Sequence, residues 1–459
     1  MGAQRESFSE RRAYIRQMIK GERDKLTVWF DLKRGRVCFA CGTPYSSKKM
    51  LSKLLSLPTT GILERFSSHV ATKKTPFYDL HMKFGGDVTD FCGYYLPIKY
   101  ANSDIGIEHM NTRKKCTIFD VSHMGQFRLS GAGREEFMER LIVADVRGLS
   151  TWSTKLSVFT NYRGGISDDM MCTKCPNHLY LVVNAACKEK DWNHIQHHLD
   201  LWKQDFPALR IEDLSNARGL LAIQGPNAMK VLQRYTNVNL AEQPFMSQRH
   251  GKIAGVDCFI TRCGYTGEDG FEISIPKDQC MRLGEVLTRD RDVTPAGLGS
   301  RDSLRLEAGL CLYGHEINDE STPIEGGLKW LIPKKRQEQG GFLGDDVILQ
   351  QIRGERPLRF MRCGLEIKSG APAREQTAVY DFQGLKQVGE VRSGLFAPSL
   401  GHPVAQAWML PSHMEPGTEL KVRVRGRFQN AVVREMPFVK KPFYRVPKKM
   451  AAKKCCGDD

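Results

Sequence analysis

The feature that most limits how this chain can fold is a change of pattern near Arg353. Before it, short β-branched apolar runs alternate with amphipathic helical stretches; after it, only short runs separated by Gly and Pro remain. Residues 156–162 and 179–184 read as strands. Residues 188–201 place Trp192, Ile195, His198 and Leu199 at helical spacing and read as an amphipathic helix. Residues 222–231 open with Gln224-Gly225-Pro226-Asn227, where Pro suits a first helical turn. Residues 258–262 and 271–275 read as strands around the tight turn GYTGEDG. The later runs are 358–367, 387–393, 420–424 and 430–433. The expectation is an α+β body followed by a small all-β domain, with the Arg/Gln/Gly-rich stretch 333–356 as the linker.

A chain of 459 residues suits two or three domains rather than one core. No stretch approaches the roughly 18 uninterrupted apolar residues of a membrane span. The net charge of +16 suggests a nucleic-acid binder until it is located. Residues 1–75 carry 16 basic and 6 acidic side chains, and residues 440–459 carry 7 and 2. The 364 residues between them hold 45 and 44, so the body is nearly neutral. A phosphate-tracking surface belongs on a folded face, so this pattern argues against nucleic acid as a partner.

The N-terminal segment divides at Met50. Residues 50–74 are basic, Ser-rich and nearly free of acids, with Leu51, Leu54 and Leu55 on one helical face until Pro58 interrupts it. That is the character of a mitochondrial presequence and predicts delivery to the matrix. Residues 1–49 hold five acids and read as a disordered upstream extension. Two C-x-x-C pairs, Cys38/Cys41 and Cys172/Cys175, lie over a hundred residues apart, so reduced thiols are a simpler reading than a metal site. No Walker loop, nucleophile elbow, zinc-protease motif or dinucleotide fingerprint occurs, and no metal, flavin or nicotinamide is expected.

Three clusters carry candidate chemistry. In NYRGGISDDM, residues 161–170, adjacent Asp168 and Asp169 project in different directions; one held in a closed site could carry a raised pKa and handle protons. A solvated Asp-Asp turn fits the same residues. In TRCGYTGEDGFEIS, residues 261–274, Phe271, Ile273 and Ile275 share one strand face while Glu272 and Ser274 share the other. That second face meets either solvent or a polar cavity needing a donor-rich ligand. In GLGSRDSLRLEAGLCLYG, residues 297–314, Ser300 can cap a helix lined by Leu304, Ala308 and Cys311. Arg301 then sits in the first turn, where the helix dipole disfavours a cation unless an anion or carbonyl-rich ligand meets it. A surface Arg is tolerated there as well.

Together these segments resemble the aminomethyltransferase, or T-protein, family of the glycine cleavage system. The resemblance runs from about Thr75 to Tyr444 through TPFYDLH, FDVSHMGQ, FTNYRGGISDD, AIQGP, RCGYTGEDGFEIS, RDSLRLEAGLCLYG, TPIEGGL and MPFV. It implies a three-domain cloverleaf around a central tetrahydrofolate channel, closed by a C-terminal barrel-like domain. The corresponding boundaries are a body at 75–332, the linker at 333–356, the barrel at 357–444 and a basic tail at 445–459. The implied reaction moves the aminomethyl carbon from the lipoyl arm of H-protein to tetrahydrofolate. It releases ammonia and leaves 5,10-methylenetetrahydrofolate and dihydrolipoyl H-protein, with P-protein and L-protein as functional partners.

By motif position, Asp169 matches the family's essential carboxylate. Glu272 and Arg301 match its folate-binding acid and base, Met124 and Leu156 match apolar pocket positions, and Asn184 matches a polar one. Family members often end with two tyrosines after MPFV, the first contacting folate. Here the pair is Phe443-Tyr444, which keeps an aromatic ring but loses a hydroxyl hydrogen bond, ~1 kcal/mol net. Two other readings follow from the same residues: a non-catalytic folate-binding regulatory or assembly protein on this scaffold, and a folate-linked dehydrogenase, which needs a flavin domain.

Overall fold

The computed structural model describes residues 27–31, 36–40 and 72–447, in two units, Met1–Ser68 and His69–Asp459. In the first unit, within the stretch read as disordered, Thr27–Asp31 and Arg36–Ala40 pair as an antiparallel hairpin. The expected presequence, 50–74, lies outside the described residues except at its last three positions. Lys73–Lys74 there pairs in parallel with the strand Tyr94–Tyr100.

The second unit contains two stacked sheets and a barrel. The first sheet is antiparallel, in the order Arg210–Asp213, Gly125–Ser130, His178–Val183, Ile166–Lys174, Thr154–Thr160. One of its faces packs under the helices Arg134–Leu141 and Lys188–Leu201, burying Phe127, Phe137, Met170, Cys172 and Ile195 in one core. The second sheet runs Ser247–Ile253, Val256–Arg262, Gly270–Pro276, Arg218–Gln224, Thr117–Asp120, Thr294–Pro295. Its outer face buries Ile260, Phe271, Ile273 and Ile275 with Leu80 and Leu283 from flanking helices.

The inner faces of the two sheets meet. Tyr180 and Val182 of the first join Phe119, Leu220 and Ala222 of the second in one cluster, with Leu304 at its end. Because side chains alternate along a strand, Glu272 and Ser274 point inward between the sheets. Along Ile166–Lys174 the alternation sends Asp168 to the helix side with Met170, and Asp169 to the inner side with Met171. The strands thus settle both choices left open by sequence: neither carboxylate belongs to an outer, solvated face.

The C-terminal domain is a closed barrel of six antiparallel strands, in the order Met361–Ile367, His402–Met409, Gln387–Ala397, Ala378–Tyr380, Glu419–Val424, Arg427–Arg434. Leu365, Val391, Ala405, Val422 and Val433 fill it. The helix Leu298–Glu307 joins it to the sheets: Arg305 donates to the Ser393 hydroxyl (2.8 Å), and Ser399 N–H donates to Glu307 (2.9 Å). The stretch expected as a linker is instead two helices, Lys334–Gln339 and Asp345–Arg353, whose Ile348 is wholly buried in the body.

Candidate active site

The Asp169 strand begins at a tight turn. Asn161 accepts backbone N–H bonds from Arg163 and Gly165, and Gly164 adopts φ +76°. Gly165 lies so close to the Asp319 backbone carbonyl that a Cβ there would overlap it. The turn therefore fixes where the strand enters the sheet. At the end of the neighbouring strand, Asn184 donates to three acceptors at once: Asp168 Oδ1 (2.9 Å), Asp169 Oδ1 (2.9 Å) and the Asp169 carbonyl (3.1 Å). Its backbone N–H also reaches Asp168 Oδ2 (3.1 Å). Burial pushes Asp169 up to about 7, the adjacent Asp168 charge adds to this, and the Asn184 amide opposes it. Such a group exchanges its proton near neutral pH.

Glu272 enters from the second sheet. Burial raises its pKa, while the Arg301 charge and the Cys263 thiol, which donates to it, oppose the rise. Arg301 lies over the Tyr265 ring, 4.7 Å from its centroid, and its Nη1 is buried with no hydrogen-bond partner. Burial lowers its pKa, with Glu272 opposing. Tyr265 donates to the Cys311 carbonyl. Burial raises the Tyr265 pKa; Arg305 opposes, and Asp169 adds to the rise. One aromatic ring thus lies within electrostatic reach of both Asp169 and Arg301. His123 is pushed down to about 4 by burial, with Asp120 opposing and Arg301 adding, and its Nδ1 is buried without a partner.

Of the residues singled out by sequence, Asn184 bonds Asp169 and Glu272 lies within electrostatic reach of Arg301, and Tyr265 stands within such reach of both pairs. Met124 packs half-buried on the same inter-sheet cluster. Leu156 pairs with Met171, two residues along from the Val158–Asp169 pair, and so shares Asp169's strand face. Phe443 is placed differently: the residue is 68 % exposed and its ring stacks on Phe245 at 4.5 Å. The tail that carries it is held by Val439 N–H to the Glu307 carbonyl (3.0 Å) and Tyr444 to the Ala241 carbonyl (2.8 Å). The Arg301 helix also differs from expectation. Gly297 is its N-cap, and Glu108 accepts the Gly297 N–H (2.8 Å), while Ser300 lies inside the first turn. Sequence reasoning passed over Tyr265 and His123, although both lie inside quoted motifs. Their signal was a ring with a polar tip inside each motif, Tyr265 in RCGYTGEDGFEIS and His123 in FDVSHMGQ.

Comparison with known proteins bears on this geometry. The GCVT N-terminal domain family matches residues 77–336, and the glycine cleavage T-protein C-terminal barrel domain family matches residues 361–440. The chain belongs to the glycine cleavage T-protein family. Among T-protein relatives, the mitochondrial aminomethyltransferase of Dictyostelium discoideum is 44% identical over 387 residues, covering 82% of this chain and 94% of that one. The mitochondrial aminomethyltransferase of Homo sapiens is 42% identical over 374 residues, covering 81% and 91%. The crystal structure of the glycine cleavage system aminomethyltransferase T from Bartonella henselae superposes with a TM-score of 0.74 at 34% identity, covering 81% of this chain and 99% of that one. The T-protein architecture thus accounts for both the paired sheets and the barrel.

Proposed function

We infer that this chain is the aminomethyltransferase of the glycine cleavage system and works in the mitochondrion, as its relatives' names state for them. The co-substrate we assign is tetrahydrofolate, and the carbon donor is the aminomethyl-lipoyl arm of H-protein. The observation carrying this reading is a set of incompletely satisfied polar groups in one buried place. Arg301 Nη1 lacks an acceptor, and Glu272 has only a weak thiol donor. Groups left so are costly unless a ligand supplies partners. A flat heterocycle bearing ring N–H, amino and carbonyl groups meets both needs, so the residues fit a reduced pteridine.

When bound, tetrahydrofolate supplies the nitrogens that take up the carbon. Glu272 accepts from the pteridine's N–H groups, and Arg301 donates to an oxygen or nitrogen acceptor. His123, neutral at physiological pH because burial holds it near about 4, adds no competing charge. Met124 and Leu156 line the approach with apolar surface and exclude water. Asp169, with its pKa near about 7, holds or releases a proton at its carboxyl oxygen and offsets positive charge on the departing amine. Asn184 fixes that oxygen. Residues 50–74 serve in this reading as the import signal.

The test is methylenetetrahydrofolate formation from aminomethylated H-protein. Asp169→Asn is expected to lower turnover by about 10²–10⁴-fold, the usual contribution of a positioned acid or base, while tetrahydrofolate still binds. Near-normal turnover would remove Asp169 from the mechanism. Absence of product with the unaltered chain would instead favour a folate-binding role without catalysis.

A further inference from the structure

A third carboxyl group lies beneath the Asp169 strand and takes no part in the mechanism above. Asp191 is on the helix Lys188–Leu201, on the face it shares with buried Ile195 and His198. It has no exposed surface, and neither carboxyl oxygen receives a hydrogen bond from an N–H or hydroxyl donor. It stands within hydrogen-bond contact of Asp168. Two carboxyl groups in such contact must share a proton, because two bare carboxylates repel. Asp168 already accepts the backbone and side-chain N–H groups of Asn184, and the Cys187 thiol also donates to it. Asp191 accepts nothing, so the proton belongs to Asp191.

We propose that Asp191 is a positioning residue: a buried, neutral carboxylic acid that donates to Asp168, keeps it an anion, and so maintains the negative charge beside Asp169. The proposal rests on the assignment of Asp169 as the group that handles the proton. The surrounding charges agree with it. Lys190, on the same helix, opposes protonation of Asp191, but its ammonium is held away by the Tyr313 hydroxyl (2.6 Å) and Asp319 (3.2 Å). Glu316, from the segment after the Arg301 helix, acts on Asp169 in the same sense as Asp168. Tyr265 and Cys311 also lie within electrostatic reach of Asp169; burial pushes the Cys311 thiol up to about 12, and it stays neutral. If the Asp191 donor is removed, Asp168 takes up the proton itself, the charge next to Asp169 disappears, and Asp169 titrates at lower pH.

Two measurements test this on the full chain. The first is the pH profile of turnover, which in the unaltered protein is expected to rise through about 7. In Asp191→Leu its acid limb is expected about one pH unit or more lower, the effect of one adjacent charge. Asp191→Asn, whose amide still donates to Asp168, is expected to keep the original limb. An unmoved limb in Asp191→Leu, or equal movement in both variants, would overturn the proposal. The second needs no turnover and no leucine variant: the infrared difference between the unaltered chain and Asp191→Asn. Between about pH 7 and about 11 it should show loss of one protonated-carboxyl carbonyl band. A difference spectrum lacking that band would overturn the proposal even where Asp191→Leu does not fold. An unaltered chain that gives the band but makes no product would count against the proposed reaction and not against Asp191.

Discussion

In the proposed reading, Glu272 and Arg301 are incompletely satisfied side chains that a ligand would complete. Each is held by its own backbone element, and neither forms an ion pair with the other within direct reach. Removing one should therefore change binding much more than folding. Glu272→Ala is expected to weaken tetrahydrofolate binding about tenfold to a hundredfold, the value of a hydrogen bond to a charged group. Calorimetric titration reads this, and an unchanged dissociation constant would sever Glu272 from the ligand. Much of this was legible beforehand, because a carboxylate between Phe271 and Ile273 must point opposite to them. Asp191 was not legible. It occupies a core position of its helix, three residues before His194 and four before Ile195, and an acid in that register reads as solvent-facing until the neighbouring sheet supplies Asp168.

The helices between body and barrel correct the reading of 333–356 as a linker. The stretch that holds them is rich in Arg, Gln and Gly, yet Ile348 joins Val158, Ile166 and Ile317 in the body's core. Ile348→Ala is expected to cost about 2–4 kcal/mol in denaturant unfolding, whereas a linker residue would cost almost nothing. The same lesson holds at the Arg301 helix. Ser300 looked like the cap because Ser caps helices locally. The Gly297 N–H is instead met by Glu108, which is distant in sequence. Partners supplied by the tertiary fold leave no local trace, and this also explains why the strand His402–Met409, opening with His-Pro, went unread. The turn at Gly165, by contrast, was legible from its two glycines. Gly165→Ala is expected to displace the Asp169 strand and depress turnover at least tenfold, as misplaced catalytic groups do; full activity would show that the Asp319 segment yields.

The joint between sheets and barrel responds to acid. Burial alone would raise Glu307, but hydrogen bonds from His109 and Ser399 outweigh it and hold it at about 2, against an ordinary 4.5. Arg113 adds two further donors, Nη2 at 2.9 Å and Nε at 3.2 Å. A carboxyl depressed in the folded state stabilises that state fully above its unfolded pKa, and the stabilisation fades as pH falls from about 4.5 through about 2. Denaturation midpoints across that window should fall more steeply in the unaltered chain than in Glu307→Gln; parallel slopes would count against this role.

The barrel's closure has a consequence for assembly. Met361–Ile367 pairs on one side with His402–Met409 and on the other with Arg427–Arg434, so the ring of strands is complete. A partner chain finds no open seam there into which it could stitch a strand of its own. A partner that touches this domain would have to meet its side chains and loops rather than extend its sheet.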